Sequence, residues 1–476
     1  MKLSMKTQLS YGIGQAGDTI PYCMFYTFFL YFLTDVAGIG PAMAGMIALG
    51  AVCLDAVTAP VCGYLSDNLR TKHGRRRPMM AIGILPLSLT IFLIFAPLPI
   101  SGVIANFYYL IMAAMFWIFY NIYVIPYMSL GGEMTTDYNG RNNIRMYNMI
   151  GGGIFMLLCT SGPMYVLDRF LSMGYSERFS WGISGAVFGV ITLVCAMICL
   201  IATKGKENES LSQVPERNRE SISVVLKEIF QIPSYRRLCL MTVMIVFGFI
   251  IASTALVYLL TYNCGLDEAQ QSLYWIIYAV IYTAAVPIGS SIANKYDKKK
   301  AFLLGNIIAV FAMAYFAFAG ISSFSAVIVY TVFYQLASTV FWTMYITFAY
   351  DVSAIDEYKN GKFRAGSIIA IVSFCQKFGS AVAMYATGSL LAIVGYNGEA
   401  AVQSQQALDG INLLCTVAPA AGCFIAVAVM VGYPVSRKKY DALIEALDAK
   451  KEGKDFSEKE FADLVKSPLA VSTYEA

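Results

Sequence analysis

Histidine is almost absent from this chain: His73 is the single one in 476 residues. One histidine builds neither a metal centre nor a catalytic triad. Charge is scarce as well, with Asp, Glu, Lys and Arg supplying 13% of the residues, where a soluble domain carries about a quarter. The eleven cysteines (Cys23, Cys53, Cys62, Cys159, Cys195, Cys199, Cys239, Cys264, Cys375, Cys415 and Cys423) fall almost wholly within apolar runs, and none forms C-x-x-C. They read as small core hydrophobes and not as ligands or a disulfide framework. No G-x-x-x-x-G-K-[ST] occurs, so nucleotide hydrolysis is not expected, and any active transport must draw on an ion gradient. The chain does not read as an enzyme, and neither a cofactor nor a nucleic-acid partner is expected.

What is abundant is apolar length. Hydrophobic residues make up 58% of the chain and mean hydropathy is +0.61, a membrane-protein composition. Segments long enough to span a bilayer lie near 11–34, 42–66, 79–97, 103–131, 147–168, 181–203, 238–262, 269–293, 301–319, 325–350, 365–395 and 409–434. The first is too long for a signal-peptide core and is expected to stay as a spanning helix. With twelve spans, 31 of the 34 lysines and arginines fall on the side of the N-terminus. Only Arg169 and Arg178 fall on the other side, and Lys377 lies within helix 11. By the positive-inside rule both termini are cytoplasmic, in a multi-pass protein of the cell membrane.

The chain also echoes itself. YFLTDVAGI at 31–39 matches YLLTYNCGL at 258–266, and DYNGR at 137–141 matches DEYKNGKFR at 356–364. The turn with Asp67 and Arg75–Arg77 matches the one with Asp297 and Lys298–Lys300. Two six-helix halves in the same orientation are parallel repeats, the major facilitator arrangement, with substrate held between them near mid-membrane. The expected divisions are an N-terminal half over 1–203, a central cytoplasmic loop over 204–237, a C-terminal half over 238–435 and a cytoplasmic tail over 436–476. The tail reads as solvated, with a short amphipathic helix around 440–450.

Three ionisable groups lie inside the spans: Asp18 in helix 1, Asp55 in helix 2 and Lys377 in helix 11. A charge at mid-membrane costs about 2.5–3.5 kcal/mol on insertion scales, so such groups are rare and functional by default. Ionised, the three sum to one negative charge, which leaves room for one added cation. A proton on a carboxylate or a sodium ion at Asp55 would fill it. Thr58, one turn beyond Asp55, and Asn121 in helix 4 offer neutral oxygens for such an ion, or equally an interhelical hydrogen bond. Among many aromatics, Tyr26, Tyr120 and Trp342 are the best placed to stack on the apolar face of a sugar. The turn containing Asp67, Arg75 and Arg76 reads as a gate component that pairs with neighbouring helix ends. Gly12, Gly14 and Gly17 spell a formal G-x-G-x-x-G, but they lie in a spanning helix, where they serve close contact or bending.

These segments resemble the glycoside–pentoside–hexuronide:cation symporters, the family of the melibiose and glucuronide carriers, over nearly the whole chain. The motifs are SYGIGQAGD (10–18), YFLTDVAG (31–38), LDAVTAP (54–60), the Gly74–Pro78 turn, NIYVIPYMSL (121–130) and FWTMYITFAYDVSAIDEYKNGKFRAGS (341–367). The resemblance implies an all-α fold of twelve transmembrane helices in two parallel repeats. It implies import of a sugar, glycoside or uronide together with a proton or sodium ion, by a chain working as a monomer. Asp55 takes the place of the family's cation-site carboxylate, Lys377 that of its helix 11 lysine, and Trp342 that of a tryptophan near the sugar. Asp351, Asp356 and Arg364, around the helix 10–11 loop, resemble its cytoplasmic gate, and Arg141 is expected in the same gate. The second helix 2 carboxylate is replaced by Ala59, and a sugar-binding helix 4 carboxylate by Val124. A tryptophan falls at Met128, an arginine at Met149, and the helix 1 sugar carboxylate at Thr19, so that Asp18 would substitute for it. Melibiose is therefore not the expected substrate, and protons are favoured slightly over sodium. A same-fold carrier of an amphipathic substrate such as a lysolipid, or an uncoupled facilitator, remains the alternative.

Overall fold

The computed structural model describes residues 4–69, 71, 74, 76–96, 98–134, 138–206, 227–295, 297–361, 365–398, 400, 402–452 and 458–465. Among the described residues, twelve helical rods run through the bundle. The first, α1, is built from Met5–Ile13, Ala16–Met24 and the wider turns Phe25–Phe29 and Phe32–Val36. There follow α2 (Pro41–Asn68), α3 (Arg77–Ile94), α4 (Gly102–Glu133), α5 (Tyr138–Ser172) and α6 (Glu177–Ala202). The second half holds α7 (Pro233–Tyr258, extended by a turn Leu259–Asn263), α8 (Glu268–Lys295), α9 (Lys298–Ala319), α10 (Phe324–Asn360), α11 (Ala365–Ile393) and α12 (Gln405–Val431). Ten of these are long and apolar enough to cross a membrane, all but α1 and α8. The expected spans all fall on these rods. α5 and α10 run further than expected, because their backbones stay helical through polar ends after apolarity stops.

The glycines of α1 act as spacers. A Cβ on Gly12 would stand 2.5 Å from the Tyr147 carbonyl oxygen, one on Gly14 2.7 Å from the Cys199 side chain, and one on Gly17 2.2 Å from the Tyr123 ring. The chain bends there as well, with the Gly14 N–H shared between the Ser10 and Tyr11 carbonyls. Close packing and bending, as expected, explain the three glycines.

The internal repeat reaches down to backbone irregularities. α1 and α7 both end in a turn closed by i→i−5 bonds, Ala37 N–H to the Phe32 carbonyl and Cys264 N–H to the Leu259 carbonyl, each 2.9 Å. Both then reverse on a glycine with positive φ, 70° at Gly38 and 61° at Gly265, a conformation that costs glycine nothing. The widened turns lie between one membrane face and the core, where such irregularities frequently accompany function.

The halves meet through α2 with α11, α5 with α8, and α1 with α7. At the face away from both termini, called here the far face, backbones nearly touch. A Cβ on Gly388 of α11 would lie 2.3 Å from the Pro41 carbonyl oxygen of α2, and one on Gly398 2.5 Å from that of Thr34. The Ser272 hydroxyl of α8 donates to the Ser161 carbonyl of α5 at 3.2 Å, and Thr254 of α7 to Tyr26 of α1 at 3.3 Å. The far face is sealed.

The tail departs from the solvated segment that its composition suggests. It forms a helix, α13 (Arg437–Glu452), and a short turn of helix, α14 (Ala462–Val465), both packed on the end of α10. Leu443, Ala446, Leu447, Phe461 and Leu464 are buried. Tyr358 of α10 is the hub: its hydroxyl donates to Glu458 at 2.5 Å, its ring meets Phe461 edge-on at 5.2 Å, and Lys450 stands 4.9 Å over the ring. Lys439 to Asp463 at 2.5 Å ties the two tail helices together. The composition hid this because the apolar residues are few, but their spacing puts them on one face of α13.

Candidate functional site

At mid-height the α2–α11 contact carries an ion pair. Asp55 is 1% exposed, and its Oδ1 accepts from Lys377 Nζ at 2.8 Å and from Asn121 Nδ2 at 2.9 Å. Asn121 Nδ2 also approaches Thr58 Oγ1 at 2.8 Å, while the Thr58 hydroxyl donates back to the Leu54 carbonyl at 2.8 Å. All four residues expected around the coupling ion, Asp55, Thr58, Asn121 and Lys377, therefore form one cluster. Lys377 keeps a quarter of its side chain accessible, so the ammonium links a buried carboxylate to open space.

The donors that face the Asp55 carboxylate are nitrogens. A sodium ion needs several oxygens, yet Asn121 turns its nitrogen inward and an ammonium already stands on the carboxylate. Among the described residues no group of three or more acidic, cysteine or histidine side chains gathers as a metal site.

One helix away, Asp18 anchors a polar chain. Tyr120 donates to its Oδ1 at 2.5 Å and Gln15 Nε2 to its Oδ2 at 2.5 Å. Gln15 also reaches Thr19 Oγ1 at 3.3 Å and accepts from Asn148 of α5 at 2.5 Å, and Asn148 continues to the Tyr127 hydroxyl at 2.9 Å. Tyr22 and Tyr120 lie within electrostatic reach of both Asp18 and Asp55, so the two carboxylates share a wall. The Tyr26 ring is tilted at 45° to that of Tyr22, 4.5 Å between centroids, and is itself buried. Trp342 stands edge-on to Tyr345 at 5.6 Å in the second half and is only partly buried. Trp117, by contrast, is 1% exposed and packs among Phe25, Phe116 and Tyr120; it is core.

Gln15 and Asn148 were not singled out from the sequence. Gln15 had a signal in its place within SYGIGQAGD, whereas Asn148 had none. Of the replaced positions, Val124 is buried, and Met149 is 63% exposed.

The expected gate is only partly visible. Arg75 and Arg364 lie outside the described residues, and the side chains of Asp67 and Arg141 are not described. Arg76 donates to Ser66 Oγ at 2.7 Å, and Arg77 reaches the Leu200 carbonyl at 2.6 Å, tying the basic turn to α2 and to the end of α6. Asp356 is fully buried and accepts from Asn360 at 2.7 Å. Asp351 pairs with Lys298 of its own half at 2.6 Å. That pair edges a cavity of about 330 Å³ closed by Asp297, Arg437 and Tyr440, at the end bearing the termini. Burial and then the Asp351 charge push the Tyr440 phenol up, so it stays protonated against Lys298, 5.3 Å above its ring.

At the far face the structure brings together residues that sequence reasoning missed as a site. Asp35 Oδ1 accepts from the hydroxyls of Tyr262 and Tyr396, the latter at 2.5 Å, and Oδ2 from Thr34 at 2.5 Å. Burial and the Asp35 charge push the Tyr396 phenol up, so it keeps its proton and donates. The signal was present in the repeat: Asp35 and Tyr262 are equivalent positions, 227 residues apart.

Known proteins fit this picture. Uncharacterized symporter YjmB of Bacillus subtilis is 29% identical over 443 residues, covering 90% of this chain and 92% of that protein. The glucuronide carrier protein homolog of Escherichia coli is 23% identical, covering 94% and 97%. A putative sulfoquinovose importer of the same organism is 24% identical, covering 95% of each. In fold, the chain superposes on an inward-facing bacterial homolog of the human lysosomal transporter Spinster with a TM-score of 0.64 at 13% identity, covering 98% of each chain. Nucleoside transporter NupG gives 0.63 at 12% identity, covering 90% of this chain and all of that one. The family model described as MFS/sugar transport protein matches residues 10–437. This chain therefore belongs to that family, as a secondary transporter of the glycoside–pentoside–hexuronide symporter type built on two six-helix repeats.

Proposed function

We propose that the chain imports a sugar, glycoside or uronide together with a proton, and that Asp55 is the proton's site. The observation that carries this reading is the Asp55–Lys377 pair between α2 and α11, where, among the described residues, opposite charges tie the halves together at mid-height. Protonating Asp55 cancels the pair and frees Lys377 to turn toward the substrate. Removing one partner of a buried pair is unfavourable, so an empty site favours the paired form and a protonated one is ready to accept substrate. Asp18, Tyr120 and Lys377 then meet the hydroxyls or acid group of the substrate, and Tyr26 and Trp342 its apolar faces. Thr19 meets the substrate beside Asp18, which Gln15 holds in register.

The membrane orientation follows from lysine and arginine, with both termini in the cytoplasm and the far face outward. The divisions at 203, 237 and 435, monomeric action and a gate formed by Asp67, Arg75, Arg76, Arg141, Asp351, Asp356 and Arg364 belong to the same proposal. A membrane potential of 100 mV supplies about 2.3 kcal/mol per charge moved inward, roughly fiftyfold accumulation.

The test is uptake into vesicles against separately imposed proton and sodium gradients, with labelled glycosides, pentosides, uronides and a lysolipid. Proton-driven accumulation of a sugar is expected. Sodium-driven uptake would overturn the ion, and lysolipid uptake without sugar uptake would overturn the substrate class.

A further inference from the structure

The far-face carboxylate is used by nothing in the transport cycle just described. Asp35 sits where the two copies of the widened turn, Phe32–Val36 and Leu259–Asn263, face each other. One copy supplies the carboxylate and the other, at the equivalent position, the phenol of Tyr262 that donates to it. A second phenol, Tyr396, comes from the loop after α11 and also lies 3.3 Å from the Tyr262 hydroxyl. Thr34 links the cluster to Tyr258 of α7 at 2.8 Å. We propose that Asp35 is a proton-binding site fed from the far-face medium, and that loading it favours closure of the two halves at that face.

The argument turns on what closure does to the carboxylate. Among the described residues its partners are three hydroxyls, with no cation at ion-pair distance. Arg178, at the start of α6, spends its guanidinium on the carbonyls of Val36, at 2.8 Å, and Leu98, at 3.3 Å. Its neighbour Glu177 lies within electrostatic reach of Asp35 and adds charge of the same sign, as Glu268 of α8 does to Glu177. The phenols of Tyr31, Tyr258, Tyr262 and Tyr396 also lie within electrostatic reach of Asp35, and the α2 stretch that packs here, from Pro41 to Gly50, carries no ionisable group.

When the halves part, water replaces the phenols as hydrogen-bond donors, so donor bonds nearly cancel between the two states. The desolvation of a lone carboxylate does not cancel, and it falls only on the closed state. The closed form therefore binds the proton more tightly than the open form. The sign follows by linkage: closure is favoured at acid pH and weakens as pH rises through the closed form's titration. Nothing in this depends on which ion Asp55 couples to.

The experiment is double electron–electron resonance on purified protein in nanodiscs without substrate. Nitroxides are placed through Met173→Cys and Val402→Cys, two exposed far-face positions in opposite halves, with Cys53 and Cys264 changed to Ser. Going from pH 7.5 to pH 5, the short-distance population should rise at least threefold relative to the long one. In Asp35→Asn it should be pH-independent, whereas Glu177→Gln should retain the response. Tyr262→Phe and Tyr396→Phe each remove a donor to the charged form, and each should move the transition to higher pH. A pH-independent distribution in the parent, or an equal response in Asp35→Asn, overturns the proposal. Should Asp35→Asn fail to fold, unmoved transitions in both phenylalanine variants overturn it.

Discussion

Two carboxylates bridge the halves of this molecule, and they are held in opposite ways. Asp55, at mid-height, is fully buried and meets an ammonium. Asp35, at the far face, is less buried and meets only hydroxyls. In the first the charges cancel on contact, so the pair holds while empty and must be broken by something that competes for the carboxylate. In the second a single charge stays uncompensated, so closure itself calls for a proton.

The largest effect expected from breaking this contrast is at Asp55. Asp55→Asn should abolish uphill accumulation, from a ceiling of about fiftyfold at 100 mV to the equilibrium level, while exchange of labelled for unlabelled substrate continues. Retained accumulation in vesicles would remove Asp55 from coupling. Next comes the pair itself. Lys377→Met leaves the Asp55 carboxylate buried without a counter-charge and should cost about 3 kcal/mol, at the low end for a buried pair because the lysine is partly solvated. Adding Asp55→Asn should restore most of that loss, read as the midpoint of thermal unfolding in detergent.

A smaller effect tests closure without touching charge. The Cβ of Gly388→Ala would meet the Pro41 carbonyl oxygen at 2.3 Å, so the variant should populate the open far face several-fold more at every pH in the same resonance assay. If its distance distribution matches the parent, the α2–α11 approach does not limit closure. The smallest effect is at Thr58. Thr58→Ala removes one neutral contact, about 1 kcal/mol, and should lower accumulation by less than about tenfold without abolishing it.

Much of this was legible in the sequence. Asp55, Lys377, Thr58 and Asn121 were expected to act together, and the structure brings them within hydrogen-bond reach of one another. Charged residues in apolar runs stand out because the bilayer makes each one expensive. The repeat was legible for the same kind of reason, since a short motif recurring in the same order is improbable. What stayed hidden was pairing at a distance. Asp35 lies at a helix end, where a carboxylate is ordinary, and only folding shows that its symmetry mate and Tyr396 converge on it. Asn148 is one polar residue at a helix end that looks solvated, and it becomes part of the Asp18 network only when α5 lies against α1. The docked tail was missed because its buried residues are a minority of a charged segment.

That docking carries a practical consequence. Through Tyr358, Lys298 and Asp297, the described part of the tail is fastened to α10 and to the start of α9. A fluorophore on the exposed side of α13 would therefore ride with the second half as a lever arm, converting a tilt between the halves into a displacement large enough to follow one molecule at a time.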